Sequence, residues 1–180
     1  NEITLEAWIR PASAGARTEP GRIVTLSEDL FNRNVTLEQG DPQGTLGNAY
    51  NVRLRTTVTK ENGYPPAFKT PAGAAETRLQ HVVFTRSADG TARLYVDGAR
   101  LAESTLAGTL STWEEKYLLL LGDEGVGQRA WSGEYRRVAL YGRALAIEEG
   151  LAPFHALPCD DGPPLFAQGF HLSCRAPLQG

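Results

Sequence analysis

The sequence predicts an all-β fold, an antiparallel β-sandwich of the jelly-roll type with one short helix near the C-terminal end. Eight or nine runs of strand length either alternate apolar and polar residues or are continuously apolar. Turn residues separate these runs at short spacing, and a single stretch has helical character. The chain of 180 residues is long enough for one such sandwich with a full core.

The clearest hairpin lies between Leu79 and Arg100. Two alternating runs, 82–87 and 92–96, flank a turn that contains Asp89-Gly90, and a second Asp-Gly pair follows at 97–98. Asp-Gly supplies the positive φ angles that tight hairpin turns need. The sequence therefore predicts a third strand over Ala99 to Glu103, which makes this unit an antiparallel meander.

The remaining elements are predicted from the same two patterns. Alternation and turn signals indicate strands over 1–10, 22–27, 35–39, 49–59 and 133–141. The apolar run from Tyr117 to Leu121 is typical of a strand buried on both faces. The three prolines between Lys60 and Glu76 predict a long loop, and Ala144 to Glu149 is the one helical stretch.

Composition excludes several classes of partner. The net charge is −3, and basic residues are scattered instead of clustered, so a nucleic acid has no basic surface to bind. No apolar run approaches the roughly 18 residues of a membrane-spanning helix, which argues against membrane insertion. Because the chain opens at Asn1 directly in a strand-like run, we expect it to be an excised domain or a processed segment. We expect a domain over 1–152 and a tail or closing strand over 153–180.

Four sequence pieces occur in an order that resembles the laminin-G-like group of the concanavalin A-like lectin/glucanase superfamily, which includes the pentraxins. They are TLEAWIRP at 4–11, QHVVFTR at 80–86, DGT and LYVDG at 89–98, and LG at 121–122 followed by WSG at 131–133 and VALYGRAL at 138–145. The resemblance covers Ile3 to about Leu151. Family members usually begin with a strand that this chain lacks or replaces, for which Leu165 to Leu172 is a candidate.

The resemblance implies a calcium site at one rim, since pentraxin-type relatives hold calcium between two loops. The corresponding loops contain Asp29, Asn32, Asp123 and Glu124, with Gln128 close behind. Calcium binds six to eight oxygen ligands, so acids and amides from two loops are chemically suitable. The alternative is that these are solvated loop acids.

Aromatic and basic side chains in predicted loops are candidates for ligand binding. Trp131, Trp113, Tyr64 and Arg129 form the predicted set, and Tyr117 and Phe68 have similar positions. A flat ring in a loop can stack on the apolar face of a sugar or anchor a protein partner. Trp131, just before a strand, has the equally good alternative of closing the core.

The only cysteines, Cys159 and Cys174, lie in the tail and predict a disulfide in an oxidising compartment. His155 and His171 together with the cysteines offer four zinc ligands, but the spacing is not a standard one. The disulfide is therefore the preferred interpretation.

No catalytic motif is recognisable, and His81 in the middle of a strand is most simply a packed histidine. The sequence and the resemblance together predict a non-catalytic module that binds a glycan or glycoprotein at the loop rim, with calcium as a cofactor candidate. The expected location is extracellular, periplasmic or at the cell surface. The alternatives are a module that docks a neighbouring protein domain, and a carbohydrate-active enzyme of the same fold.

Overall fold

Ten β-strands form two antiparallel sheets in the computed structural model, which describes residues 1–15, 19–40, 48–124 and 129–146. The strands are β1 Ile3–Pro11, β2 Gly21–Ser27, β3 Arg33–Gln39, β4 Tyr50–Leu54, β5 Phe68–Lys69, β6 Gln80–Arg86, β7 Thr91–Val96, β8 Ala99–Thr105, β9 Leu118–Leu121 and β10 Gly133–Tyr141. Sheet A has the order β10-β1-β6-β7-β8, and sheet B has the order β5-β4-β3-β2-β9. This architecture confirms the predicted antiparallel sandwich.

The meander around the two Asp-Gly turns is confirmed. β6 pairs with β7 from Val82 opposite Val96 to Arg86 opposite Ala92, and β8 follows as the third strand. Asp97 and Gly98 have φ angles of 50° and 84°, so both central residues of the turn have the positive φ that the sequence indicated.

The core lies between the sheets and is built from alternate residues of each strand. Leu5 and Ile9 of β1 and Phe84 of β6 face Leu37 of β3 and Val52 of β4, and each of these side chains is at most 1% exposed. Alternation in β1, β3 and β6 directs every second residue inward, which is why the pattern predicted these strands closely.

Two predictions about apolar segments were wrong. The strand predicted over 49–59 ends at Leu54, because residues 55–59 turn, and Val58 is 66% exposed instead of facing the core. The leucines of β9 were expected to be buried on both faces, yet Leu118 and Leu121 are 64% and 50% exposed. Among the described residues β9 pairs only with β2, so it is an edge strand.

The predicted short helix lies partly outside the described residues. Residues 144–146 are irregular, and 147–149 belong to the part that is not described. The described part of the chain contains no helix, so no helix there is long and apolar enough to cross a membrane.

Candidate functional site

The face of sheet B that points away from the core is polar, and its charged side chains are buried. Val35 and Leu37 of β3 face the core, whereas Thr36 and Glu38 point to the opposite side. Register places Arg22 of β2 and Asn51 of β4 on either side of Glu38. We call this surface, with Arg33, Arg53 and Glu124, the polar face of sheet B.

Two glutamates and three arginines form an ion-pair network on the polar face. Glu38 pairs with Arg22 and, over 3.2 Å, with the Nε of Arg53, and it accepts a hydrogen bond from the amide of Asn51. Glu124 pairs with the Nε of Arg22 at 3.0 Å and with the Nη1 of Arg33 at 2.9 Å. The network joins β2, β3 and β4 to the segment after β9.

Burial of these guanidinium groups shifts their titration. The pKa of Arg22 is lowered to about 9, first by burial and then by the charge of Arg33. Burial likewise lowers the pKa of Arg33 to about 10, against the opposing effect of Glu124. Both groups remain protonated at neutral pH, so the five charged side chains of the network carry one net positive charge.

Backbone and side-chain hydrogen bonds hold Glu124 over the polar face. Asp123 accepts hydrogen bonds through Oδ1 from the backbone N–H of Glu124 at 2.7 Å and of Arg129 at 3.3 Å. The N–H of Arg22 donates to the carbonyl of Arg129, and the N–H of Trp131 donates to the carbonyl of Gly122. The described ends of the loop between β9 and β10 are thus fixed to β2 and to each other.

Two of the four predicted ligand contacts lie near the polar face. The backbone carbonyl of Arg129 accepts a hydrogen bond from the N–H of Arg22 at 2.8 Å, and Tyr64 directly follows Gly63, which lies against the backbone of Arg53 and Leu54. The Arg129 side chain is 24% exposed, and its Nη1 pairs with Glu19 at 2.5 Å. Arg129 and the half-buried Tyr64 are accessible to a ligand at the edge of this face.

The two predicted tryptophans are part of the core packing. Trp131 is 6% exposed, contacts Tyr135 edge to face at 5.0 Å, and donates its Nε1 hydrogen to Gln39 at 2.8 Å. Trp113 packs against the core and donates to the carbonyl of Arg55 at 2.9 Å. Tyr117 and Phe68, which have similar positions in the sequence, are also buried.

The predicted calcium ligands are engaged in other interactions. Asp29 Oδ1 accepts hydrogen bonds from the backbone N–H groups of Phe31 and Asn32, and the Asn32 amide also donates to Asp29. Hydrogen bonds from Phe31 and Asn32 lower the pKa of Asp29. Glu124 lies between two guanidinium groups, an environment that repels a cation.

Within the described ranges, no three His, Cys, Asp or Glu side chains are grouped so that they could hold a metal ion. Calcium also takes carbonyl and amide oxygens as ligands. Calcium binding therefore stays a prediction from the family resemblance. Gln128, Cys159 and Cys174 lie outside the described residues, so the disulfide and its zinc alternative also stay predictions.

Sequence reasoning missed the arginines and Glu38 of the polar face. Arg22, Glu38 and Arg53 lie in predicted strands, and Arg33 comes just before one. Charge at such positions normally marks a solvated surface. The signal that could have found them is opposite charge at paired positions of neighbouring strands, since Arg22 lies opposite Glu38. That signal requires the strand pairing, which the sequence alone did not define for β2 and β3.

A second buried polar cluster lies on the outer face of sheet A. Glu6 is 1% exposed and contacts His81 Nε2 at 3.0 Å, and it accepts hydrogen bonds from Tyr141 at 3.1 Å and from Trp8 at 3.2 Å. His81 also stacks on Trp8 at 4.3 Å. Because the Glu6 carboxylate and the His81 imidazole are both buried and bonded to each other, His81 has a structural role.

The Glu6 cluster should make the stability of the protein depend on acid pH. Burial raises the pKa of Glu6, but the hydrogen bond from His81 and the charge of Arg137 outweigh it, so the pKa is lowered. Because its pKa is lower in the folded state, ionised Glu6 stabilises the fold at pH values above its unfolded-state pKa of about 4.3. This stabilisation is lost as the pH falls through the folded-state pKa. We expect the free energy of unfolding of wild type to fall more steeply below about pH 4.3 than that of Glu6→Gln. Parallel slopes in urea titrations across this range would contradict the prediction.

Comparisons with known proteins identify the family of this chain. The model of the Laminin_G_3 family, described as the concanavalin A-like lectin/glucanases superfamily, matches residues 1–149. The chain therefore belongs to this family, which confirms the resemblance seen in the sequence. No curated protein matches the chain significantly in sequence.

Solved structures of similar fold have low sequence identity. A Bacteroides ovatus protein has a TM-score of 0.59 and 16% identity, with 83% of this chain and 40% of that chain covered. A heptameric SAP-like pentraxin from Limulus polyphemus has a TM-score of 0.57 and 17% identity, with 83% and 68% covered. The Ruminococcus gnavus IT-sialidase CBM40 bound to α2,3 sialyllactose has a TM-score of 0.60 and 15% identity, with 83% and 80% covered. At these identities the likeness shows the fold.

Proposed function

We propose that this domain is a non-catalytic glycan-binding module whose ligand contacts the edge of the polar face of sheet B. The contacts are Arg129, Tyr64 and Arg53. The observation that carries the proposal is that two partly exposed guanidinium groups, those of Arg53 and Arg129, border a buried, charged network, with Tyr64 in the loop that lies against the backbone of Arg53.

These groups suit a sugar chemically. Guanidinium groups donate several hydrogen bonds in a fixed plane, which matches vicinal hydroxyls and carboxylates. A tyrosine ring offers an apolar face to the C–H face of a sugar and a hydroxyl at its edge. The net positive charge of the network favours a glycan that carries a carboxylate.

The comparisons support the same class of ligand. The CBM40 module of similar fold has been solved with α2,3 and with α2,6 sialyllactose bound. Other matched structures are sialidases, of which this chain covers 23%, so the similar fold forms only a part of those chains. A binding module within a larger exported protein is the arrangement we infer for this chain.

The buried acids of the polar face support a non-catalytic role. Glu38 and Glu124 have fully buried side chains, and both are bonded to guanidinium groups. A general acid or nucleophile must reach the glycosidic bond. Neither carboxylate is placed to do so in this structure.

Glycan binding by the purified protein tests the proposal. We expect an array of neutral and sialylated glycans to reveal binding, and we expect Arg129→Ala and Tyr64→Ala each to weaken it about tenfold, or ~1.4 kcal/mol. Arg100→Ala is the matched control, because Arg100 is an exposed arginine of β8 in the other sheet. Absence of binding to every glycan, or equal losses in Arg129→Ala and Arg100→Ala, would refute the proposal and favour a protein partner.

A further inference from the structure

Among the described residues, one side of the sandwich leaves part of its apolar interior exposed to solvent. The open side lies between the edge strands β9 and β10. Leu119 and Leu121 of β9 are 39% and 50% exposed, and Val138 and Leu140 of β10 are only partly buried. The paired inward positions of the strands next to them, such as Leu5, Val24 and Leu26, are at most 6% exposed.

The exposed leucines point toward the core and not toward the outer surface. Leu119 pairs with Leu26 and Leu121 pairs with Val24, and paired residues of antiparallel strands point to the same face of a sheet. Val24 and Leu26 belong to the core cluster. The described residues therefore leave the interior of the sandwich uncovered here, which differs from a few apolar residues on an outer surface.

Both strands that border the open side have an edge without a strand partner among the described residues. β9 pairs there only with β2, and β10 only with β1. Tyr135 closes one end of the opening, since its hydroxyl donates to the carbonyl of Ile23 across the two sheets at 2.6 Å. A free edge beside exposed apolar residues accommodates an additional strand with one apolar face.

The sequence after β10 contains a candidate segment for such a strand. After β10 the backbone remains beside β1, where the N–H of Leu145 donates to Thr4 Oγ1 at 2.9 Å, so the chain continues from the end of the opening opposite Tyr135. Thirty-four residues follow Ala146, and the 18 residues at 147–164 extend up to about 60 Å. As a strand, the segment 165–172, LFAQGFHL, would place Phe166, Phe170 and Leu172 on one face together with Gln168.

We propose that residues 165–172 of the same chain fill the open side as an added strand, with Phe166 and Phe170 against the leucines of β9. The segment has about the length of β10, and its apolar face supplies the side chains that this part of the interior lacks. This inference is independent of the proposed glycan site, which lies on the polar face of sheet B.

Engineered disulfides test the position of the segment. In a full chain with Cys159→Ser and Cys174→Ser, Leu119→Cys should form an intramolecular disulfide with Phe166→Cys or Phe170→Cys under mild oxidation. Val58→Cys with Phe170→Cys is the control and should not, because Val58 lies in the exposed turn after β4. Disulfide-linked dimers would show that a second copy fills the opening, and the proposal would be wrong.

Hydrogen exchange gives a second test without new cysteines. The full chain should protect those amides of β9 and β10 that point away from β2 and β1, and Phe166→Asp with Phe170→Asp should abolish that protection. Leu165→Asp with Ala167→Asp changes the opposite face of the segment and should retain it. Equal exchange in all three proteins would overturn the proposal, whatever the glycan array shows.

Discussion

Replacing Glu124 with alanine should lower the free energy of unfolding by about 3 to 5 kcal/mol. The carboxylate is fully buried and pairs with Arg22 and Arg33, so its removal leaves the buried guanidinium group of Arg33 without a carboxylate and Arg22 with Glu38 alone. Urea unfolding at neutral pH measures the loss. Glu115→Ala is the matched control, because Glu115 is exposed, and it should change stability by less than about 0.5 kcal/mol.

A double variant tests whether the stability lost in Glu124→Ala comes from leaving Arg33 unpaired or from any substitution at Glu124. Arg33→Met with Glu124→Leu removes both partners and leaves Arg22 paired with Glu38. We expect this variant to recover most of the stability lost in Glu124→Ala, since apolar replacements of a buried pair are often neutral. A double variant as unstable as Glu124→Ala would show that Glu124 does not act through Arg33.

Replacing Trp131 with alanine should cost about 3 to 5 kcal/mol of folding free energy. The indole is buried, contacts Tyr135, and lies so close to Gly133 that a Cβ added there would come within 2.2 Å of the ring. The substitution leaves a cavity and removes the donor that Gln39 accepts from. Thermal or urea unfolding measures the loss, which follows from packing and not from any ligand.

The Trp131→Ala variant also distinguishes two roles for the indole, which are core packing and contact with a ligand. Phe31→Ala is the control, because Phe31 is an aromatic residue in a loop with 70% exposure and should be nearly neutral for stability. The folded fraction of Trp131→Ala should bind glycans as wild type does. A stable Trp131→Ala protein that loses glycan binding would instead make the indole a ligand contact.

The sequence was most informative where local pattern decides the structure. β10 was predicted with its correct bounds, and the turn at Asp97 and Gly98 was predicted from two residues. Both features depend on alternation and on positive φ, which are properties of a short stretch of chain. The family resemblance rested on the same stretches.

The features that the sequence did not predict depend on contacts between residues that are distant in the chain. The amide of Asn34 donates to the carbonyl of Glu114 at 2.8 Å and accepts from the N–H of Glu114 at 3.0 Å, although 80 residues separate them. Glu38 is likewise buried by its pairing with Arg22 and Arg53 of other strands, although alternation alone marks it as exposed. The exposure of Leu121 is the converse case, because burial depends on a neighbouring strand and not on the hydrophobicity of the run.

The most direct test of glycan binding at the polar face is to map the bound ligand on the protein. Backbone NMR spectra recorded during titration with a glycan from the array, with a chelator present, locate the affected amides. We predict that the shifts concentrate in β2, β3 and β4 and around Tyr64 and Arg129, without any calcium requirement. Shifts confined to the outer face of sheet A, or shifts that appear only when calcium is added, would contradict the account.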